Sequence, residues 1–326
     1  MAHSAISEQA LPAKPATAAS PSLLADYAVL FKPRVSLMVL ITAAAGLYLG
    51  DLRSGISPFH AGSLIVLCCI ALVTLGSSVL NQALERRSDG RMARTARRPM
   101  VPGPSGQAHI SLPHGLLLGF VFIAAGTILL AWFTQTLTAT LTLLTATSYV
   151  AIYTPLKRIT SLNTFIGAFP GALPPLIGWT AARGLIEWPA VALFAVIFVW
   201  QFPHFMAIGW LYRDDYRHGG IRLAATQQPI QWAARSTVFQ ALFYAVLMIP
   251  VALWTSFLGV TGTPYAIIAA ILSLGYLWYT VRFAAILRDP ASQDRTPARN
   301  LLKASVIYLP LLLAAMIANA QGRVWF

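Results

Sequence analysis

The sequence predicts an all-α membrane protein whose helices cross the bilayer nine times. Of the 326 residues, 57% are apolar and only 10% are charged. A soluble domain averages about 25% charged residues. The uncharged stretches are long enough for spanning helices, and the basic residues fall almost entirely between alternate stretches. These observations exclude a water-soluble globule, and they exclude disorder for all but the chain ends.

The positions of the charges give the number of spans. Asp, Glu, Lys and Arg are missing from residues 54–84, 99–156, 159–182, 188–212, 236–281 and 304–322. A spanning helix needs about 20 mainly apolar residues, and polar breaks near 133–138 and 259–264 divide the two longest stretches. With a further apolar segment that ends at Gly50, the predicted spans are 33–50, 61–84, 115–133, 137–156, 161–181, 188–210, 236–257, 264–286 and 303–320.

The distribution of lysine and arginine predicts the topology. If the spans alternate, 20 of the 23 basic residues lie on the side of the N-terminus. Because cytoplasmic loops carry the excess of Lys and Arg, we predict a bacterial plasma-membrane protein with a cytoplasmic N-terminus and a periplasmic C-terminus. The net charge of +13 then reflects topology and contact with membrane lipid, and it does not indicate a nucleic-acid partner.

The domain organisation is simple. Residues 1–24 are rich in Ala, Ser and Pro and carry few charges, which predicts a disordered cytoplasmic tail. Residues 25–326 form a single transmembrane domain. The two cysteines, Cys68 and Cys69, are adjacent in an apolar stretch, so no disulfide framework is expected.

The first candidate site lies at the end of the second span. Asn81, Glu85 and Asp89 are four residues apart, so a helix that continues to Gly90 places one amide and two carboxylates on one face. Such oxygen ligands suit Mg²⁺ or Mn²⁺, because Mg²⁺ usually binds through one or two carboxylates and substrate phosphates. Six arginines between residues 86 and 98 are suited to binding phosphate. The alternative is an ordinary basic cytoplasmic loop.

A second polar segment lies in and after the sixth span. Gln201, Pro203 and His204 interrupt its apolar sequence, and polar groups within a membrane are costly and often functional. Such a histidine is more often a hydrogen-bonded structural group than a ligand, so both interpretations stay open. Asp214 and Asp215 follow at the same predicted face as the first cluster. Two acidic clusters among basic residues favour a lipid diphosphate, held by metal and Arg or Lys, with its chain in the bilayer.

Several motifs together resemble the UbiA superfamily of intramembrane prenyltransferases. They are KPRV at 32–35, the segment from Asn81 to Pro99, YTPLKR at 153–158, GALPPLIGW at 171–179, WQFPHF at 200–205, and Asp215-Tyr216. They cover roughly residues 32–223. One departure is Glu85, where the family's first motif often has Asp. The resemblance implies a nine-helix bundle around a central cavity, and WQFPHF is similar to the branch that farnesylates haem.

The resemblance also implies a reaction. A farnesyl group would pass from farnesyl diphosphate to a vinyl group of haem B, with addition of water, and the products would be haem O and diphosphate. Haem B would be a substrate and not a prosthetic group. The expected partners are farnesyl diphosphate, haem B, membrane lipid, and a haem A synthase or terminal oxidase assembly.

The same resemblance implies roles for individual residues. Asn81, Glu85 and Asp89 would hold one Mg²⁺, and Asp214 and Asp215 would serve a second, with Asp215 the better match to the motif. The residues expected to pair with diphosphate are Arg94, Arg98, Lys157 and Arg158. The residues expected to contact haem are His204 and Gln201.

Three alternatives remain at this stage. A UbiA relative could prenylate an aromatic acid or a quinone precursor instead of haem. A transporter would have polar groups near the membrane midplane, whereas here the acids cluster at one face. A purely structural membrane subunit would not need Asn81, Glu85 and Asp89 in register.

Overall fold

The computed structural model describes residues 22–103 and 105–321, and in this part of the chain the secondary structure is helical, without a β-sheet. Nine of its helices are long and apolar enough to cross a membrane, which confirms the predicted number. The helices are α1 (Leu23–Phe31), α2 (Pro33–Arg53), α3 (Ala61–Asp89), α4 (Leu112–Phe133), α5 (Thr136–Leu156), α6 (Asn163–Arg183), α7 (Trp188–Leu211), α8 (Arg213–His218), α9 (Ile230–Phe257), α10 (Thr263–Leu287) and α11 (Thr296–Ala318). The two short helices, α1 and α8, do not span.

The helices extend beyond the predicted spans at several ends. Helix α3 continues to Asp89, and α9 and α11 begin several residues before the predicted starts. The predicted spans stop at charged residues, whereas a helix can continue past the hydrocarbon with charged side chains in the headgroup region. The predicted tail up to residue 24 overlaps α1, because Ser22 caps a helix that begins at Leu23. Residues 1–21 of that tail lie outside the described ranges.

The spans pack in chain order and close into a ring. Each of α2 to α6 packs against the next helix in the chain. Helix α7 packs against α9, α9 against α10, and α10 against α11. Helix α11 then contacts α2, and three further contacts join spans that are not neighbours in the chain: α2 with α6, α3 with α5, and α7 with α11.

Small residues allow α2 and α6 to approach closely. A Cβ atom on Gly46 would overlap the backbone of Pro175, and one on Gly178 would overlap the backbone of Ala43. Spanning helices depend on such contacts because lipid provides no hydrophobic drive for their association. At the far end of α6, the indole of Trp179 donates to the Glu187 carboxylate over 2.9 Å, and Arg183 pairs with the same carboxylate.

The segments that follow α3, α5, α7 and α10 meet at one end of the bundle, which we call the arginine-rich end. The backbone N–H of Arg222 donates to the carbonyl of Lys157, and Asp215 accepts hydrogen bonds from the loop after α3. Arg213 donates to the carbonyl of Ser292 in the loop before α11. The loops predicted to lie on one side of the membrane are therefore in direct contact.

Candidate active site

A cavity of about 270 Å³ opens at the arginine-rich end. It lies between the ends of α2, α3, α5, α6 and α7, and the segment after α8 closes one side. Its polar lining residues are Lys32, Asn81, Glu85, Asp89, Arg94, Thr95, Arg98, Tyr149, Tyr153, Lys157, Asn163, Thr164 and Tyr216. The opposite wall is apolar and includes Phe205, Met206 and Ile208.

The predicted polar face of α3 lines this cavity. The helix continues to Asp89 and ends at Gly90, so Asn81, Glu85 and Asp89 stay in register on one side. The amide nitrogen of Asn81 donates to the Thr154 hydroxyl over 2.9 Å, which leaves its oxygen available on the other side. The three side chains are buried, and the cost of burying carboxylates requires charged or polar partners.

Each of these three side chains has a cationic partner. Lys157 Nζ lies 2.6 Å from Glu85 Oε1, and Arg98 Nη1 lies 2.7 Å from Asp89 Oδ2. Arg98 also lies 3.9 Å from Glu85 Oε2, so it bridges the two acids. Lys32 Nζ donates to Asn81 Oδ1 over 2.5 Å. The acids are thus in contact with the basic groups that could receive a phosphate.

One carboxylate oxygen is left without a partner. Asp89 Oδ1 is buried and has no hydrogen bond among the described residues. A buried carboxylate oxygen without a hydrogen bond is costly, and a divalent cation would satisfy it. Within residues 22–103 and 105–321, no group of three or more His, Cys, Asp or Glu side chains could hold a metal by itself. A metal here would therefore use Glu85, Asp89, the Asn81 amide oxygen and oxygens of the substrate.

The pKa values of the two lysines of the cavity shift in opposite directions. Burial lowers the pKa of Lys32 to about 7, although the nearby Glu85 carboxylate raises it. For Lys157, burial also favours the neutral form, but the attraction of Glu85, its hydrogen bond and the nearby Tyr153 and Tyr149 together raise the pKa above the usual value. Of the two lysines, Lys157 is therefore the one that stays charged. Lys32 also has a left-handed backbone, with φ of 47°, at the bend between α1 and α2.

A π-helical turn at Ser148–Tyr153 shapes the wall formed by α5. Pro155 lacks an N–H and cannot donate to the usual carbonyl one turn earlier, so the helix widens before it. Both the backbone N–H and the hydroxyl of Thr154 donate to the carbonyl of Tyr149, five residues earlier. Tyr149 and Tyr153 both line the cavity, and Lys157 Nζ lies 4.4 Å from the centre of the Tyr153 ring.

The second acidic cluster does not join the first in this structure. Asp215 does not line the cavity, and its carboxylate accepts the backbone N–H groups of Ala93 and Arg94 at 3.2 and 3.3 Å. The Arg94 guanidinium lies over the rings of Tyr212 and Tyr216. Asp215 therefore ties the loop after α3 to α8, and its assignment to a metal stays a prediction.

Asp214 points away from the cavity into a group of arginines. Its carboxylate lies 2.7 Å from Arg295, 3.7 Å from Arg217 and 3.8 Å from Arg213. Burial, followed by the charge of Arg295, lowers the pKa of Arg213 below its usual range. Consecutive residues of a helix point about 100° apart, so Asp214 and Asp215 face different surroundings, and the assignment of Asp214 to a metal stays a prediction.

Three further predicted site residues lie outside the cavity lining. Arg158 turns away from the cavity and donates to the Ser88 hydroxyl over 2.9 Å. Gln201 donates to the carbonyls of Ala168 and Ile197, within the contact between α6 and α7.

His204 also lies outside the lining. Its ring nitrogen Nδ1 is 2.8 Å from the Ser305 hydroxyl of α11, and its ring stacks on Trp200. These contacts favour a structural role for both His204 and Gln201, and their assignment to haem stays a prediction. Helix α7 runs through Pro203 without a break.

The structure adds cavity residues to which the sequence assigned no role. They are Lys32, Tyr149, Tyr153, Asn163 and Tyr216. Four of them lie within or beside motifs already recognised, but the spacing alone does not say which side chain of a motif points inward. Asn163 had a signal of its own, because an amide at the buried start of a span needs a polar partner. It donates to the carbonyls of Thr160 and Arg222.

Comparison with known proteins decides the family. Residues 39–320 match the UbiA prenyltransferase family. The chain belongs to this family. A protoheme IX farnesyltransferase of Koribacter versatilis is 42% identical over 304 residues, with 91% of this chain and 94% of the relative covered. The protein of that name from Anaeromyxobacter sp. (strain Fw109-5) is 37% identical, with 91% and 94% covered.

Solved structures of UbiA proteins share the fold. A structure concerned with digeranylgeranylglyceryl phosphate synthase aligns with a TM-score of 0.70 at 18% identity and covers 91% of this chain and 98% of the other. A UbiA homolog from Archaeoglobus fulgidus bound to GPP and Mg²⁺ aligns with a TM-score of 0.58 at 14% identity, with 89% and 99% covered. These likenesses confirm the UbiA fold that the sequence motifs implied.

Proposed function

We propose that this protein transfers a farnesyl group from farnesyl diphosphate to a vinyl group of haem B, with addition of water, to give haem O and diphosphate. The observation that carries the proposal is the buried polar face of α3, where two carboxylates and an amide meet Lys157, Arg98 and Lys32 in one cavity. The family membership and the names of the relatives, which are 35–42% identical, support the haem substrate.

The donor set fits a divalent cation, Mg²⁺ or Mn²⁺. Asn81, Glu85 and Asp89 would hold it, and the unpaired Asp89 Oδ1 supports this assignment. When bound, the ion would neutralise negative charge on the diphosphate. Because Glu85 is paired with Lys157 and Asp89 with Arg98, the two acids would release their basic partners to the substrate as they take up the metal.

The basic side chains then bind and stabilise the leaving group. Four basic side chains line the cavity and can donate to diphosphate oxygens: Arg98, Lys157, Lys32 and Arg94. Their hydrogen bonds to these oxygens strengthen as negative charge develops there. The bond between C1 of the farnesyl chain and the diphosphate oxygen breaks, and its electron pair leaves with the oxygen. The resulting allylic cation is attacked by the vinyl carbon of haem B. Water then adds to the other vinyl carbon and loses a proton.

The apolar wall keeps water from the allylic cation. Phe205, Met206 and Ile208 face the polar wall, and an allylic cation that met water here would give farnesol instead of haem O. The rings of Tyr149 and Tyr153 can stabilise a passing cation through their faces.

The apolar helices and the charge distribution support a location in the cell and an orientation in the membrane. The nine apolar helices support a multi-pass membrane protein, and the charge distribution supports a plasma membrane with the N-terminus in the cytoplasm and the C-terminus in the periplasm. A haem A synthase or terminal oxidase assembly would be a partner that consumes haem O.

The test is the haem content of membranes from a host that makes no haem O. Expression of this protein should yield a haem heavier than haem B by one farnesyl group and one water. The matched control is the Glu85→Gln, Asp89→Asn protein expressed at the same level. If only haem B is found while 4-hydroxybenzoate or another aromatic acid is prenylated, the family assignment stands and the haem substrate is wrong.

A further inference from the structure

We propose that a second cavity at the arginine-rich end binds a phosphate-class anion, separately from the candidate active site. This cavity has a volume of about 260 Å³ and is lined by Arg87, Ser88, Arg91, Arg158, Gly219 and Gly220. We call it the arginine cleft. The proposal goes beyond the proposed function, because none of these residues lines the first cavity.

The arginine cleft lies on a different side of α3 from the first cavity. Asp89 faces the first cavity, whereas Ser88 and Arg87, one and two residues earlier, are turned by about 100° and 200° around the helix. The turn after α5 contributes Arg158, which brings a third guanidinium to the same space.

The charge of the arginine cleft is uncompensated. No carboxylate is among its lining residues, and in the described part of the chain Arg87, Arg91 and Arg158 form no ion pair. The nearby acids are already engaged, Glu85 by Lys157, Asp89 by Arg98, and Asp215 by two backbone N–H groups. Three like charges facing one space repel one another, and an anion between them removes that repulsion.

The three arginines are exposed side chains, but they border a cavity and not a flat surface. The volume is far larger than the roughly 30 Å³ that one water molecule takes up in the liquid. Part of the lining is formed by Gly219 and Gly220, which place no side chain in the space. Gly220 has a φ of +70°, a left-handed conformation that favours glycine at this position.

The donors are also held in place. The Ser88 hydroxyl accepts a hydrogen bond from Arg158 Nη2 at 2.9 Å and itself donates to the carbonyl of Glu85. This fixes the Arg158 guanidinium at the edge of the cleft while four of its five N–H donors are uncommitted among the described residues. Arginine forks match the oxygens of phosphate in a bidentate manner, which favours a phosphate group over a halide.

Two sources could provide this anion. Diphosphate released from the neighbouring cavity is one source, and it depends on the proposed function. The phosphate headgroup of an anionic phospholipid is the other, and it does not. Both present the same phosphoryl oxygens to the guanidinium groups.

The test is the binding of radiolabelled inorganic diphosphate to the full-length protein in phosphatidylcholine nanodiscs, by equilibrium dialysis. The wild type should bind two diphosphate ions per chain, and Arg87→Gln, Arg91→Gln should weaken one of the two sites at least tenfold. The matched control, Arg34→Gln, Arg97→Gln, removes the same charge from exposed residues that line neither cavity, and it should bind as the wild type does.

A second arm identifies a lipid occupant. Native mass spectrometry in nanodiscs that contain phosphatidylglycerol should show one retained anionic lipid fewer for Arg87→Gln, Arg91→Gln than for the control if the headgroup occupies the cleft. Loss of either ligand in this variant alone supports the site. If diphosphate and phosphatidylglycerol bind equally to this variant and to the control, the proposal is wrong.

A third measurement needs no variant. Phenylglyoxal should modify Arg87 and Arg91 in the wild type, and diphosphate or phosphatidylglycerol should protect them at least tenfold relative to Arg97. Equal modification of all three in the presence of both ligands would overturn the proposal even if the variants fail to fold. None of these measurements uses farnesyl transfer, so an inactive protein with a protected cleft would contradict only the proposed function.

Discussion

Replacing Glu85 by glutamine tests the centre of the candidate site. The substitution keeps the shape of the side chain and removes its charge. Glu85 Oε1 lies 2.6 Å from Lys157 Nζ, which corresponds to a gross attraction of about 6 kcal/mol at an effective dielectric constant of 20. Arg98, at 3.9 Å, adds about 4 kcal/mol on the same scale. Much of this offsets the cost of taking the charges out of water.

The expected net effects differ for stability and for turnover. The side chains of Glu85 and Lys157 are only 11% and 16% exposed, so removing one partner leaves a buried lysine without its counter-charge. The loss of such a partner costs about 3–5 kcal/mol, and the low end applies here because the amide oxygen of Gln still accepts from Lys157. Turnover should fall at least 100-fold, the size seen when one preorganised transition-state contact is removed.

The assay is farnesyl transfer to haem in nanodiscs at varied Mg²⁺, together with the apparent melting temperature of the same samples. Glu85→Gln should lower both turnover and the affinity for Mg²⁺, while binding of metal-free diphosphate is retained because the basic residues remain. Glu187→Gln is the matched control, since it neutralises an ion-paired carboxylate at the other end of the bundle. Full turnover in Glu85→Gln, or full turnover of the wild type in EDTA, would refute the metal assignment.

Four further predictions follow from other contacts. The pKa of Glu187 lies below its usual range, chiefly through its hydrogen bonds from Arg183 and despite its partial burial. Its stabilisation is therefore present at neutral pH and lost as the pH falls through the lowered folded-state value, so the melting temperatures of wild type and Glu187→Gln should converge in acid. His204→Ala should cost about 1–3 kcal/mol of stability by removing a hydrogen bond and a stacked ring. Unchanged haem affinity in this variant would support the structural role, and a selective loss of haem affinity would support the ligand role. Asp214→Asn should cost about 0.5–1 kcal/mol, because the carboxylate is half exposed and its ion pairs are screened by solvent, and it should leave the Mg²⁺ dependence intact, because its partners are arginines; a raised Mg²⁺ requirement would contradict this. The last prediction concerns topology and uses a background without native cysteines. An impermeant thiol reagent should reach a cysteine at position 57 from the periplasm, and it should reach one at position 93 only after the cells are opened. The reverse labelling pattern would overturn the topology.

The sequence by itself determined the number of spans and the polar face of α3. Both are local properties: a spanning helix is recognised from about 20 apolar residues, and residues four apart on one helix share a face whatever surrounds it. For this reason Asn81, Glu85 and Asp89 could be placed together before any tertiary contact was known. The cation partners of these residues lie on other segments, and only the resemblance to the UbiA family pointed to Arg98 and Lys157.

The tertiary structure decided which of two neighbouring residues faces the cavity. Lys157 pairs with Glu85 while Arg158 turns to the arginine cleft, and Asp215 binds the loop after α3 while Asp214 binds three arginines. Sequence motifs contain both members of each pair. Their directions depend on how α5 and α8 pack against α3 and on where the next segment lies. These directions follow from the rotation of each helix about its axis and from the distances between helices. Hydrophobic periodicity within one helix specifies neither quantity.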